Sequence, residues 1–144
     1  FIFDGENFVL QRDNLQIAEK AEMFAPGNLR ACGEREDYLR LVNFWIKEGY
    51  RLRYSGGMVP DIGQILLKGG GVFTYPGFSI DPEGKLRILY ECAPMAFLVE
   101  QAGGMASDGA MAILDKRIDD LTSRTPIYVG SKGEVEIVIS ELES

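Results

Sequence analysis

Histidine is absent from all 144 residues, which removes Ser-His-Asp and Cys-His nucleophile pairs, phosphohistidine chemistry and the usual His-containing zinc sites. Cysteine is scarce as well. Cys32 and Cys92 are too few for a disulfide framework, so a reducing compartment, cytoplasm or plastid, is the expected setting and secretion is not. No uninterrupted apolar stretch approaches the roughly 18–20 residues of a membrane span, and no basic segment precedes an apolar core, so neither an anchor nor a signal peptide is expected. Basic blocks are also missing. With 15 Lys and Arg against 22 Asp and Glu the formal charge is -7, which argues against a nucleic-acid surface and confines recognition of any anion to local basic spots.

What is present suits one ordinary globular domain: 46% of residues are hydrophobic and 26% charged, enough for a core of its own. The opening "FIFDGENFVLQ" has no start methionine and alternates apolar with polar residues, as an interior strand would, so a piece of a longer chain is expected. "EREDYLRLVNFWIKEGY" sets Tyr38, Leu41, Val42 and Trp45 at helical spacing, with Gly49 as a stop. "YRLRY" alternates, and this predicts a short strand with Arg51 and Arg53 on one side and Tyr50, Leu52 and Tyr54 on the other. A glycine turn then leads into a predicted helix with Pro60 early and Ile62, Ile65 and Leu66 inward, ended by Gly69 to Gly71. Strands are expected at "VFTY", "LRILYE" and "PIYVG", and a helix at "PMAFLVEQA" closed by Gly103 and Gly104. "EVEIVISELE" reads as strand by alternation or as helix by Val135, Val138, Ile139 and Leu142, and we favour helix. Strands alternating with helices, without repeat or linker, predict a layered α/β domain.

Within this pattern Glu91 stands where a strand's carboxyl end meets the start of a helix, the place where active sites of open α/β sheets gather. Two readings of it stay open. Glu91 is either a cap for the free N–H groups of that helix or a hard oxygen ligand for Mg²⁺, a cation that takes carboxylate, water and substrate phosphate. One carboxylate makes no metal site, and Asp61, Asp81, Asp108 and Asp119 are expected on solvated turns and helix faces. Lys85, Arg53, Tyr54 and Tyr75 lie at strand edges; together their ammonium, guanidinium and phenol donors could cradle a phosphate, with Gly56, Gly57 and Gly69 to Gly71 letting backbone approach it. Met58 is by default a core gap-filler.

"GKLRILYECAPMAFLVEQAGGMASDG" and "RYSGGMVPD" resemble the landmarks of class I sugar bisphosphatases, the fructose-1,6- and sedoheptulose-1,7-bisphosphatase superfamily. The resemblance runs over residues 1–144 and covers the C-terminal half of such an enzyme, so it implies an α/β/α domain with a mixed sheet whose metal-site half precedes Phe1. "FAPGNLRA", "YLRLVNFWI", "LRYSGGMVPD", "SDG" with "LDK", and "GSKGE" are most similar to the sedoheptulose branch, whereas Tyr75 in "FTYPG" is closer to fructose-type sites. Carried over residue by residue, the resemblance makes Glu91 a Mg²⁺ ligand, and makes Tyr54, Tyr75 and Lys85 contacts to the sugar phosphate that is not cleaved. It sets Met58 against the sugar, matches Asn28 to a phosphate-contacting asparagine, and sends Arg53 into a neighbouring subunit's site in a homo-oligomer. The implied activity is Mg²⁺-dependent hydrolysis of the 1-phosphate of a ketose bisphosphate, for which this stretch alone is expected to be inactive. The alternatives are fructose-1,6-bisphosphatase and a non-catalytic sugar-phosphate-binding domain.

Overall fold

The computed structural model describes residues 1–142. At its centre is a five-stranded mixed sheet built from β3 (Met23–Pro26), β4 (Arg51–Leu52), β5 (Val72–Tyr75), β7 (Met105–Ser107) and β9 (Ile127–Gly130), in the order β4-β3-β5-β9-β7. β3 runs parallel to both β4 and β5, while β9 pairs antiparallel with β5 and with β7. Outside the sheet stand two small ribbons. One joins β1 (Ile2–Phe3) to β2 (Phe8–Val9), and the other joins β6 (Leu86–Arg87) to β8 (Arg124–Thr125).

Helix α1 (Glu36–Lys47) carries the chain from β3 outward to β4, and α2 (Met58–Lys68) carries it back across β3 to β5. Because parallel crossovers keep one hand, steps in opposite directions put their helices on opposite faces. The burial pattern agrees residue by residue. Phe24, Val72 and Tyr128 pack with Tyr38, Leu41 and Trp45 of α1 and with Val135 and Val138 of α4 (Lys132–Leu142). Their immediate neighbours Ala25, Phe73, Ile127 and Val129 pack with Ile62 and Ile65 of α2 and with Ala96 and Val99 of α3 (Ala93–Gln101). The period of two in the strands thus serves two helical layers, and the architecture is α/β/α.

Three predicted elements differ. "FIFDGENFVLQ" is a separate exposed hairpin, with the rings of Phe3 and Phe8 5.2 Å apart, and not an interior strand. The strand at "YRLRY" is only two residues long, and Leu52 is 55% exposed, because β4 is a sheet edge with no layer covering that position. The strand predicted over 86–91 stops after Arg87, which pairs with Arg124, the first residue of β8, and Ile88–Cys92 forms a π-helical turn instead. Pro94 explains the wide turn. It has no N–H to give to Tyr90, and the Ala93 N–H reaches back five residues to Ile88 O. The tail is helical, as favoured.

Candidate active site

The chain leaves the carboxyl end of β4 through Arg53, Tyr54, Ser55, Gly56 and Gly57 and enters α2 at Met58. This loop is pinned by Asp61 in the first turn of α2, which lies 3% exposed and accepts a 2.8 Å hydrogen bond from the Ser55 N–H through Oδ1. Asp61 was expected on a solvated turn; its burial comes from reaching back over the helix N-terminus, where free N–H groups favour a carboxylate.

At the carboxyl end of β5, Tyr75 lies half-buried against Gly27, so closely that a Cβ there would come within 2.6 Å of Tyr75 Cδ2. From beneath, the buried Tyr38 hydroxyl ties the two strand ends together, donating 3.0 Å to Gly27 O and lying 2.8 Å from Thr74 Oγ1. Burial pushes the Tyr38 phenol well above its ordinary value, so at neutral pH it stays a donor. Lys85 is presented by Gly84, whose φ of 78° and close approach to the Thr125 carbonyl, 2.5 Å from where a Cβ would stand, leave no room for a side chain.

These elements enclose a cavity of about 170 Å³ lined by Tyr54, Gly56, Met58, Phe73, Tyr75, Lys85 and Leu86. Two phenols, one ammonium and one thioether thus meet at the carboxyl ends of β4 and β5, where ligands of open α/β sheets bind. The volume is below the roughly 300–1,000 Å³ of a complete small-molecule site, and suits one end of a ligand.

The remaining candidates lie elsewhere. Arg53 is exposed, turns to the other side of β4 and donates 2.9 Å to Leu52 O. Asn28 is buried with φ 54°, a left-handed conformation Asn tolerates. Its Nδ2 donates 3.3 Å to Pro76 O and its Oδ1 faces Arg30 Nε at 3.4 Å, so its amide braces the segment after Tyr75. Glu91 is half-buried in the π-helical turn and is not among the residues lining the cavity. Its Oε2 accepts from the Arg87 N–H at 2.8 Å and from Arg87 Nε at 3.4 Å. That is a cap of its own turn rather than of α3. Among the described residues, no three His, Cys, Asp or Glu side chains come together as a metal centre.

Asp108, also expected on a solvated turn, is ion-paired with Lys116 and accepts the Ala110 and Met111 N–H groups at 2.9 and 2.7 Å. Burial raises its pKa, but the Lys116 bond and the two N–H groups outweigh this and hold it below the usual carboxylate range. Sequence reasoning also passed over Tyr38, since a tyrosine at helical spacing shows only its apolar body; the Gly27 that accepts its bond was the available signal.

Residues 17–143 match the family described as Fructose-1-6-bisphosphatase, C-terminal domain. This chain is a member of that family. A class 1 fructose-1,6-bisphosphatase of Trichlorobacter lovleyi is 48% identical over 130 residues, 89% of this chain and 40% of that protein. A chloroplastic sedoheptulose-1,7-bisphosphatase of Triticum aestivum is 50% identical over 124 residues, 86% of this chain and 31% of that protein. The crystal structure of a Toxoplasma gondii protein named as a candidate sedoheptulose-1,7-bisphosphatase superimposes with a TM-score of 0.88 at 37% identity, covering 92% of this chain and 42% of that one. The chain therefore spans less than half the length of these relatives. No helix among the described residues is long and apolar enough to cross a membrane.

Proposed function

We propose that the chain anchors the uncleaved phosphate of a ketose bisphosphate in a Mg²⁺-dependent sedoheptulose-1,7-bisphosphatase, a phosphoric monoester hydrolase acting on the 1-phosphate, with the other metal ligands supplied by sequence outside these residues. The observation that supports it is the meeting of Tyr54, Met58, Tyr75 and Lys85 on one cavity in a member of this family. Lys85 gives a charge-assisted hydrogen bond to a phosphate oxygen, the two phenols give neutral ones, and Met58 offers an apolar surface to the sugar carbons. Held at that end, the substrate presents its 1-phosphate in one orientation, which removes much of the entropic part of the barrier. Asn28 acts by positioning the segment after Tyr75. Arg53, exposed and directed away from the cavity, is free to enter a neighbouring subunit's site in a homo-oligomer.

The donor set of these residues is not a Mg²⁺ centre, since no carboxylate cluster forms among the described residues. Glu91 fits the narrower role of one hard oxygen ligand, released from Arg87. Mg²⁺ bound there would neutralise charge on the phosphoryl group. The sedoheptulose preference is supported by the sequence motifs; the wheat and Trichlorobacter relatives, at 50% and 48% identity, stand level. Tyr75 favours the second reading, fructose-1,6-bisphosphatase.

Steady-state kinetics on the complete enzyme test this. Lys85→Ala should raise KM about tenfold or more with a smaller loss in kcat, because a charge-assisted contact worth roughly 1.5–3 kcal/mol is removed from a group whose charge barely changes during reaction. Glu91→Gln should depress kcat and weaken the Mg²⁺ response while the melting temperature holds. Unchanged kcat with lost stability would leave Glu91 as a cap only.

A further inference from the structure

At the amino ends of β3, β4 and β5, away from the carboxyl ends that carry the candidate active site, lies a second concavity, of about 240 Å³, whose lining includes Lys20, Arg51, Arg53, Lys68, Gly70 and Glu22. Four cations and one carboxylate meet there, in a chain that has 22 acidic side chains against 15 basic ones. Among the described residues none of the four cations stands in an ion pair, whereas Arg35, Arg40, Arg87, Lys116, Arg117 and Lys132 all do. Unpaired cations gathered in a hollow repel one another, and the field they make attracts a counter-ion.

The backbone shapes the hollow. At Gly70 a Cβ would stand 2.5 Å from Ala21 Cβ, so only glycine allows the segment before β3 to close over the end of α2. The carboxyl end of α2 also faces this region, and its partial negative charge works against an anion. That opposition is blunted, because Ile65 O accepts from the Gly69 and Gly70 N–H groups, Leu67 O from Arg12, and Gly69 O from the Ala18 N–H. Lys68 stands in the same last turn.

We infer that Lys20, Arg51 and Lys68 form a second anion site that takes a phosphate monoester of small-molecule size, separate from the cavity of Tyr54 and Lys85. Three cations less the Glu22 carboxylate leave two positive charges, which match a phosphate monoester, close to two negative units at neutral pH, better than a single carboxylate. The guanidinium of Arg51 offers two parallel donors and the lysines act as point charges. The hollow is larger than inorganic phosphate needs, and the remaining volume would hold the alcohol part of the ester. Arg53 lies at the rim, between this site and the role proposed for it across a subunit boundary.

Isothermal titration of the complete protein with inorganic phosphate at low salt tests the inference. With Mg²⁺ left out, so that the cleavage site does not hold product phosphate, two classes of site are expected. Lys20→Gln combined with Lys68→Gln should weaken one class at least fivefold and leave kcat and KM for the bisphosphate unchanged at low phosphate; Lys85→Gln should weaken only the other. Raising the salt from 20 to about 200 mM should weaken the Lys20 class, because exposed charges are screened over about 8–10 Å. Phosphate binding that is unaffected by the Lys20/Lys68 double substitution overturns the second site, as does a change of oligomeric state on that substitution, which would show that the cations meet the acidic surface of a second copy. Binding unaffected by Lys85→Gln counts instead against the proposed active site, so the two failures are distinct.

Discussion

At the scale of single residues, reactivity separates the two thiols. Cys92 is fully buried at the start of α3; burial, followed by the neighbouring charge of Glu91, pushes its pKa up to about 12. Cys32 is half-exposed, and its pKa is raised by partial burial. Only the thiolate attacks a disulfide reagent. At pH 8 a chromogenic disulfide should therefore label Cys32 slowly and Cys92 only after unfolding; two equal fast phases in the native protein would contradict the packing around Cys92. Residue type alone proposed Lys85, Tyr54 and Tyr75 as phosphate donors and left Glu91 open between cap and ligand; Met58 and Asn28 became candidates only through the resemblance to the family. The partners these side chains take were not legible. That Glu91 turns back on Arg87, or that Asp61 lies buried, depends on a π-helical turn and a helix start whose geometry no periodicity records.

At the scale of elements, two glycines have opposite roles. Gly63 lies within α2 with nothing within 4 Å of where its Cβ would be, and there glycine only adds freedom to the unfolded chain. Gly63→Ala should raise stability by about 0.5–1 kcal/mol. Gly84→Ala should lower stability by more than that and loosen Lys85, because a side chain there meets the Thr125 carbonyl in a left-handed conformation. Paired denaturant melts measure the two stability changes, and KM of the complete enzyme carrying Gly84→Ala reads the loosening of Lys85; a Gly84→Ala protein as stable as Gly63→Ala would mean that the ribbon of β6 and β8 does not constrain this turn. The helices were legible because Tyr38, Leu41, Val42 and Trp45, or Ile62 and Ile65, keep a period that burial preserves. β3 and β7 escaped notice: "MFAP" and "MAS" are short, and their alanines, proline and serine show no alternation.

At the scale of the whole molecule, the chain holds a cavity for one end of a ligand but, among the described residues, no metal cluster. Supplied with excess Mg²⁺, this chain alone should release no phosphate from sedoheptulose or fructose bisphosphate above background in a phosphate assay; turnover would move the chemistry into these residues. The sheet order has a consequence for how the molecule is made. β5 lies at the centre, and Val72 pairs on one side with Phe24 and on the other with Gly130, about 60 residues further along. A ribosome adding about 5–20 residues per second needs roughly 3–12 s to cover that gap. During that interval Val72 and Phe73 have β3 beside them and no β9, so the nascent chain presents an apolar half-sheet at its growing edge. Chaperone capture of stalled chains should therefore peak for lengths ending between β5 and β9.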